Sequence, residues 1–344
     1  MDKQKIKRLR EKYGNAKGGD VFDAEFRKVT DMLFTASGTR ALPYGGIPTL
    51  LDAKHSDNLD EVDIGLIGVP MDLGVTNRNG ARFGPRSVRT MERIGPYHHV
   101  HRKVPAATCR VADIGDVPFR SRFSLASCME DIETHYTMLR DKGVRPLSVG
   151  GDHSITYPIL KALGNQTPLG CIHIDAHCDT GGEYDGSKFH HGGPFRLAVL
   201  DGVLDPERTI QIGIRGSSEF LWEFSYDSGM TVIHIEEFQK MGVAAVVEKA
   251  REVVGDGPVY VTFDIDGLDP AYAPGTGTPE VGGLTPREAQ AVLQGLAGLD
   301  VIGGDVVEIA PQYDATTNTA HVGGQMLFEI LSLMTLNDNW QSEE

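Results

Sequence analysis

The sequence lacks most of what would mark a secreted, membrane-spanning or nucleic-acid-binding protein. Its 344 residues include four cysteines, Cys109, Cys128, Cys171 and Cys178, with no C-x-x-C pair among them. That usage excludes a disulfide framework and a cysteine-rich zinc module, and fits reduced thiols. No apolar run approaches the roughly 20 residues of a membrane-spanning helix. Residues 1–13 are rich in Lys and Arg but carry no apolar stretch, so no secretory signal is expected. Positive charge is scarce as well: 33 Lys and Arg stand against 48 Asp and Glu, a formal net charge of −15. A chain so balanced has no general affinity for phosphate backbones, which need a basic face. Internal repeats and low-complexity linkers are also missing. Together these absences predict a cytoplasmic protein with no nucleic-acid and no membrane partner.

Glycine, by contrast, is plentiful, at 41 residues in a chain that is 40% hydrophobic and 24% charged. The glycines punctuate a rhythm that begins at Asp63. Apolar, β-branched runs at 64–69, 109–114, 146–149, 169–174, 209–214, 231–235, 259–263 and 301–307 give way to Gly/Pro/Asp-rich turns. Amphipathic stretches at 124–142, 243–254 and 286–296 read as helices between them. Thr285, Pro286 and Glu288 supply the cap, first residue and capping-box partner of the last. Eight strands alternating with helices predict one α/β domain, a three-layer α/β/α fold on an eight-stranded parallel sheet. Residues 1–60 read as an N-terminal extension for surface or oligomer packing, 61–338 as the catalytic domain, and 339–344 as a C-terminal tail.

Open parallel sheets gather their sites at the carboxyl ends of the strands. There this chain places Gly150-Gly151-Asp152-His153-Ser154, Asp175-Ala176-His177-Cys178-Asp179 and Asp264-Ile265-Asp266. In an extended chain alternate side chains share a face. Asp175, His177 and Asp179 are therefore expected to converge while Cys178 points away, and Asp264 and Asp266 to do likewise. The candidate ligands are His153, Asp175, His177, Asp179, Asp264 and Asp266. Four carboxylates and two imidazoles are too many hard donors for one tetrahedral zinc. They suit two divalent ions bridged by carboxylates, Mn²⁺ first and Ni²⁺ next, with Co²⁺ and Fe²⁺ open. Such a pair activates a shared water near neutral pH. Asp152 and Asp269 read as turn formers or groups behind the ligands. His98, His99 and His101 read as a solvated surface cluster.

These three segments, the last continued as Gly267-Leu268-Asp269-Pro270, resemble the signatures of the ureohydrolase family of arginases, agmatinases and guanidino acid hydrolases. The likeness runs from about Asp63 to Met334. Thr76-Asn77-Arg78 through Gly84-Pro85-Arg86, His191-Gly192-Gly193-Pro194-Phe195-Arg196, Gln211 to Gly216, and Ala273 to Glu280 resemble the agmatinase-like branch. The resemblance implies an arginase/deacetylase-like fold and a binuclear amidinohydrolase that attacks a guanidino carbon with a metal-bridged hydroxide, releasing urea and an amine. It implies one ion on His153, Asp175, Asp179 and Asp264, and the other on His177, Asp175, Asp264 and Asp266. Asp179 thus counts among the catalytic groups as well as the ligands. Glu308 is expected to hold the guanidinium and His191 to shuttle a proton, with His190 its rival.

Arginases read the amino-acid head of their substrate with an Asn two residues past the fourth ligand position and an Asp beyond the fifth strand. Here Gly181, followed by Gly182, and Ser218 stand at those places. Arginine is therefore not the expected substrate, although these positions still border the substrate site. Agmatine, guanidinobutyrate, guanidinopropionate, a small substituted guanidine or a biguanide all remain open. The alternatives are a formimidoylglutamase-type hydrolase, a zinc deacetylase, or a metal-retaining partner subunit of a heteromeric hydrolase. Family members are commonly trimers or hexamers, so a homo-oligomer is expected, with a heteromer also open.

Overall fold

The structure, a computed structural model, describes residues 2–17, 20–24, 26–27, 30, 45–91, 94–216 and 222–336. Ser218 and the expected tail at 339–344 lie outside the described residues. The chain divides into two compact units, Met1–Gly46 and Ile47–Glu344. The first contains helix α1 (Lys3–Tyr13), whose Asp2 cap accepts the Gln4 N–H at 2.9 Å. None of its side chains is buried. The second unit starts at Ile47, and within it Leu50 is fully buried in the core, its N–H donating to Asp113 Oδ2 at 2.9 Å.

Eight strands form one sheet: β1 (Ile64–Val69), β2 (Val111–Asp116), β3 (Arg145–Gly150), β4 (Leu169–Ile174), β5 (Leu204–Ile214), β6 (Thr231–His234), β7 (Val259–Asp264) and β8 (Val301–Val307). Their order is β2-β1-β3-β8-β7-β4-β5-β6, and every neighbouring pair is parallel. The expected run at 109–114 is displaced to 111–116, and β5 begins five residues before the expected 209.

Helices on both faces follow from burial on both faces. They are α2 (Gly84–Arg89), α3 (Leu125–Asp141), α4 (Thr156–Leu163), α5 (Pro194–Leu200), α6 (Glu223–Ser228), α7 (Ile235–Val254), α8 (Pro286–Gly295) and α9 (Asn318–Thr335). One core joins Ile172, Ile174, Val261 and Phe263 to Val246 of α7, Val292 of α8 and Ile330 of α9. The other joins Cys171 and Tyr260 to Ile132 of α3, Ile159 of α4 and Phe195 of α5. Residues 171 and 172 thus face opposite layers, which is the pleat at work. The capping box at Thr285 and Glu288 forms as expected. Helix α7 absorbs the expected 243–254 segment and extends it back past a non-helical Gly242 (φ 76°). No helix among the described residues is long and apolar enough to cross a membrane.

Five strands carry a polar residue at one shared level of the sheet. Ser148, Asp305, Thr262, His173 and Gln211 are successive cross-strand partners along β3-β8-β7-β4-β5. All five are fully buried. Two residues further along the chain from His173 and Thr262 stand Asp175, just past the end of β4, and Asp264, the last residue of β7.

Of the three histidines expected at the surface, His99 is exposed and His101 half-buried, but His98 is buried. His98 is 3% exposed and its Nε2 lies 2.7 Å from Glu329 Oε2, beneath the ring of Phe328. A buried carboxylate needs partners, and His98, Gln290, Gln294 and Gln325 supply them to Glu329 on α9.

Candidate metal centre and active site

Strand β4 ends at Ile174, and the ligands after it sit in bends rather than in extended chain. The side chains of Asp175, His177 and Asp179 converge through these turns and not through strand alternation. Asp175 Oδ1 accepts the His177 N–H at 2.6 Å, which tightens the turn. Asp179 adopts a left-handed backbone (φ 52°) that swings its carboxylate back toward Asp175. After β7 the chain makes a 3₁₀ turn at Ile265–Gly267, with Asp264 Oδ1 accepting the Asp266 N–H at 2.8 Å. After β3, Gly151 (φ 49°) reverses the chain where a Cβ would lie 2.5 Å from the carbonyls of Val69 and Met71. Asp152 then caps the turn that carries His153. This is the pattern of a site built from short side chains bonding their own backbone.

Two ligand groups result. His153, Asp175, Asp179 and Asp264 bring one ligand atom each within 4.8 Å of one another, and Asp175, His177 and Asp266 do the same. His153 Nδ1 is buried with no hydrogen bond and faces Asp179 Oδ2 at 2.9 Å, Asp175 Oδ2 at 3.1 Å and Asp264 Oδ2 at 3.2 Å. His177 Nδ1 faces Asp266 Oδ2 at 3.3 Å and Asp175 Oδ1 at 3.5 Å. Asp175 thus offers one oxygen to each group, as a bridging carboxylate must. Cys178 turns away and is 2% exposed.

The electrostatics call for cations. Burial, reinforced by the charges of Asp266 and Asp175, pushes Asp264 well above the ordinary carboxylate range. Burial works against charge on His153, but the three carboxylates facing it outweigh that and hold its pKa well above the ordinary imidazole value. The donor set of four carboxylates and two imidazoles fits two divalent ions.

Behind the ligands lies the buried polar row. Asp305 Oδ1 accepts the Thr262 hydroxyl at 2.5 Å, while its Oδ2 accepts those of Thr156 and Tyr260 at 2.8 Å each. With its proton committed, the Thr262 oxygen accepts from His153 Nε2 at 2.9 Å. This leaves Nδ1 of His153 with its lone pair toward the ion site. On the other side, Gln211 Nε2 donates to the Cys178 carbonyl at 2.6 Å and to His173 Nδ1 at 3.0 Å. His173 Nε2 can then donate to Asp175 Oδ2 at 2.7 Å. These partners set ligand tautomers and orientation. The residues doing so (His173, Gln211, Thr262 and Asp305) were missed as site residues. Their signal was available: each is a polar residue within an apolar run, and two of them stand two places before a ligand.

Glu308, the first residue after β8, also has a left-handed backbone (φ 63°) and is 1% exposed. Strained non-glycine backbone at a site is kept where the surroundings enforce it. Its Oε1 accepts the His153 N–H at 2.9 Å and faces His191 Nδ1 at 3.0 Å. Its Oε2 is buried and has no hydrogen-bond partner among the described residues. His191 Nε2 meets Thr76 twice, the hydroxyl at 2.6 Å and the N–H at 3.2 Å. Burial lowers the His191 pKa, but Glu308 more than reverses this and raises it to about 9. His190 instead points its Nε2 to the Gly182 carbonyl at 2.6 Å. The structure therefore brings His191, not His190, to Glu308. Gly181 donates its N–H to the Gly192 carbonyl at 2.7 Å, tying the loop after Asp179 to the segment that carries both histidines.

Residues 62–332 match the model of the arginase family. A guanidinopropionase of Pseudomonas aeruginosa is 49% identical over 295 residues, covering 85% of this chain and 92% of that one. A mitochondrial agmatinase of Gallus gallus is 43% identical, covering 84% and 86% respectively. Among solved structures, proclavaminate amidino hydrolase from Streptomyces clavuligerus superposes with a TM-score of 0.82 at 35% identity, covering 86% of this chain and 99% of that one.

Proposed function

Because this chain belongs to the arginase family, we propose that it hydrolyses the guanidino group of a small molecule other than arginine, releasing urea and an amine. His153, Asp175, Asp179 and Asp264 would hold one divalent ion, and His177, Asp175, Asp264 and Asp266 the other. Mn²⁺ is the first choice for this donor set and Ni²⁺ the second. Such a pair supplies Lewis acidity and activates a water at neutral pH.

One observation carries the reading. Glu308 is a buried carboxylate beside the candidate ligands whose Oε2 has no donor among the described residues. An unpaired buried carboxylate oxygen is costly, and a guanidinium N–H satisfies it with a charge-assisted bond. The remaining steps fall to the protein. His191, held between Glu308 Oε1 and Thr76, keeps a proton near neutral pH and gives it to the departing amine. Gly181 and Gly182 stand just past Asp179, where an arginase carries an Asn, and lack the side chain that would read an amino-acid head. Ser218 belongs to the same substrate-reading role. We place the enzyme in the cytoplasm as a homo-oligomer, trimer or hexamer, with residues 1–60 available for contacts between subunits.

The test is metal analysis joined to a urea assay across arginine, agmatine, guanidino acids, alkylguanidines and biguanides, run with Mn²⁺ and with Ni²⁺. Two ions per chain and urea from a guanidine other than arginine are expected. Formamide or acetate as product, or urea from arginine alone, would overturn the proposal.

A further inference from the structure

The segment Thr76-Asn77-Arg78, beyond the end of β1, is anchored on both flanks although Thr76 and Asn77 are exposed. On one flank Gly74 donates its N–H to Asp152 Oδ2 at 2.8 Å, and its carbonyl accepts the His191 N–H at 2.9 Å. On the other, Arg78 donates to the carbonyls of Thr276 at 2.6 Å and Gly277 at 3.2 Å. Its guanidinium lies 4.3 Å from the centroid of Tyr313, whose hydroxyl donates to the Asn79 carbonyl at 2.9 Å. Thr76 stands between these anchors, so its neighbours fix its place.

That place is the outer side of the His191 ring. The Thr76 hydroxyl lies 2.6 Å from His191 Nε2, its one hydrogen-bond partner among the described residues, and the Thr76 N–H lies 3.2 Å from the same nitrogen. The ring itself is 8% exposed, and its inner nitrogen, Nδ1, faces Glu308 Oε1 at 3.0 Å. Buried carboxylate on one side and exposed hydroxyl on the other leave Thr76 as the bridge between this ring and water. The two neighbours also pull in opposite directions. Glu308 favours a charged imidazolium, whereas a main-chain N–H can only donate and so favours a lone pair on Nε2. The hydroxyl suits both states, donating to a neutral ring and accepting from a charged one.

We propose that Thr76 is a positioning residue that relays protons between solvent and His191. The inference rests on the guanidine hydrolysis proposed above and adds the route by which its proton donor is recharged. With the ring neutral and its proton on Nδ1, Thr76 Oγ1 gives its own proton to Nε2 and takes another from water. Nδ1 then passes its proton to the departing amine. The ring resets when Nδ1 recovers a proton from the next water consumed in hydrolysis and Nε2 returns its own through the hydroxyl. Only O–H and N–H bonds are exchanged, and each proton that enters is matched by one that leaves.

The experiment measures kcat and KM of the full-length, metal-loaded protein and its Thr76→Val and Thr76→Ser variants. The substrate is the guanidine that yields urea fastest in the panel above. Each series is run at rising concentrations of N-methylmorpholine, a small proton-carrying buffer. Thr76→Val keeps the shape and the main-chain N–H but removes the hydroxyl. At low buffer its kcat should fall roughly ten- to hundredfold, a part of the usual worth of a positioned proton donor, with KM and metal content unchanged. Rising buffer should restore that kcat, because a small carrier replaces the lost relay, while the wild type does not respond. Thr76→Ser keeps the hydroxyl and should follow the wild type. No loss in Thr76→Val, a loss that buffer does not restore, or a Ser variant as slow as the Val variant would overturn the relay and leave guanidine hydrolysis intact. Urea from no guanidine with the wild type would overturn both.

Discussion

His191 Nδ1 and Glu308 Oε1 lie 3.0 Å apart in a pocket where both side chains are nearly sealed from solvent. The same oxygen accepts the main-chain N–H of His153. Glu308 therefore holds His191 and the turn that carries His153 through one atom, and its other oxygen, with no hydrogen bond among the described residues, is the place proposed for the guanidinium. Glu308→Gln keeps the shape but removes the charge. The variant should retain both ions, while kcat/KM on the best guanidine falls about a hundredfold or more through loss of a charge-assisted bond. Metal analysis beside steady-state kinetics checks it; unchanged kinetics would remove Glu308 from substrate binding.

The same pair makes a pH prediction. Glu308 raises the His191 pKa from 6.5 to about 9 against the effect of burial. A pKa raised on folding stabilises the protein fully below the unfolded value, and the gain disappears as pH climbs through the folded value. The pair should thus contribute at pH 6, contribute less by pH 8, and contribute nothing well above 9. Urea melts of the metal-free wild type and His191→Gln should show a stability gap at pH 6 that closes by pH 10. A gap that widened with pH would contradict this assignment.

Adjacent histidines offer a sharp internal control. His191 touches Glu308 and Thr76, whereas His190 bonds the Gly182 carbonyl. His191→Ala should lower kcat by about two to four orders of magnitude, the usual worth of a positioned proton donor. His190→Ala should act mainly on KM, by loosening the loop that follows Asp179. The reverse ranking would assign the proton transfer to His190.

Much of this was legible before any coordinates. Runs such as 64–69, 169–174 and 301–307 match their strands to the residue, because fully buried parallel strands are continuous apolar runs bounded by turns. The six candidate ligands were legible as residue types at strand ends, and the structure brings them together. Their geometry was not legible. Asp179 reaches the cluster through a left-handed backbone, and Asp175 and Asp264 through bonds to the N–H two residues on, so strand alternation does not describe them. The polar row from Ser148 to Gln211 was hidden for a different reason. It joins residues more than 150 positions apart, and only the strand order β3-β8-β7-β4-β5 makes neighbours of them. His98 was misread because its carboxylate partner, Glu329, lies 231 residues away.

Asp266 belongs to the group with His177 and Asp175 and not to the group around His153. Asp266→Asn should therefore lower metal content from two ions to about one per chain, since a neutral amide is a poorer ligand for a hard cation. Activity should fall with the lost ion. Full occupancy with full turnover would refute its place in the cluster.

Thr262 tests whether the polar row serves the metals or only the fold. Its hydroxyl donates to Asp305 and accepts from His153 Nε2, which turns the other nitrogen of that ring toward three carboxylates. Thr262→Val keeps the volume and removes both bonds. His153 Nε2 and one Asp305 oxygen are then left short of a partner, at a stability cost of about 1–3 kcal/mol. Partners behind metal ligands are typically worth about 10–100-fold in metal affinity. Thr262→Val should weaken Mn²⁺ binding by that factor at the His153 site, read by metal titration of the metal-free protein. Thr262→Ser restores the hydroxyl and should bind almost as wild type. A Val variant destabilised to urea but unchanged in Mn²⁺ affinity would make the row a feature of the fold alone.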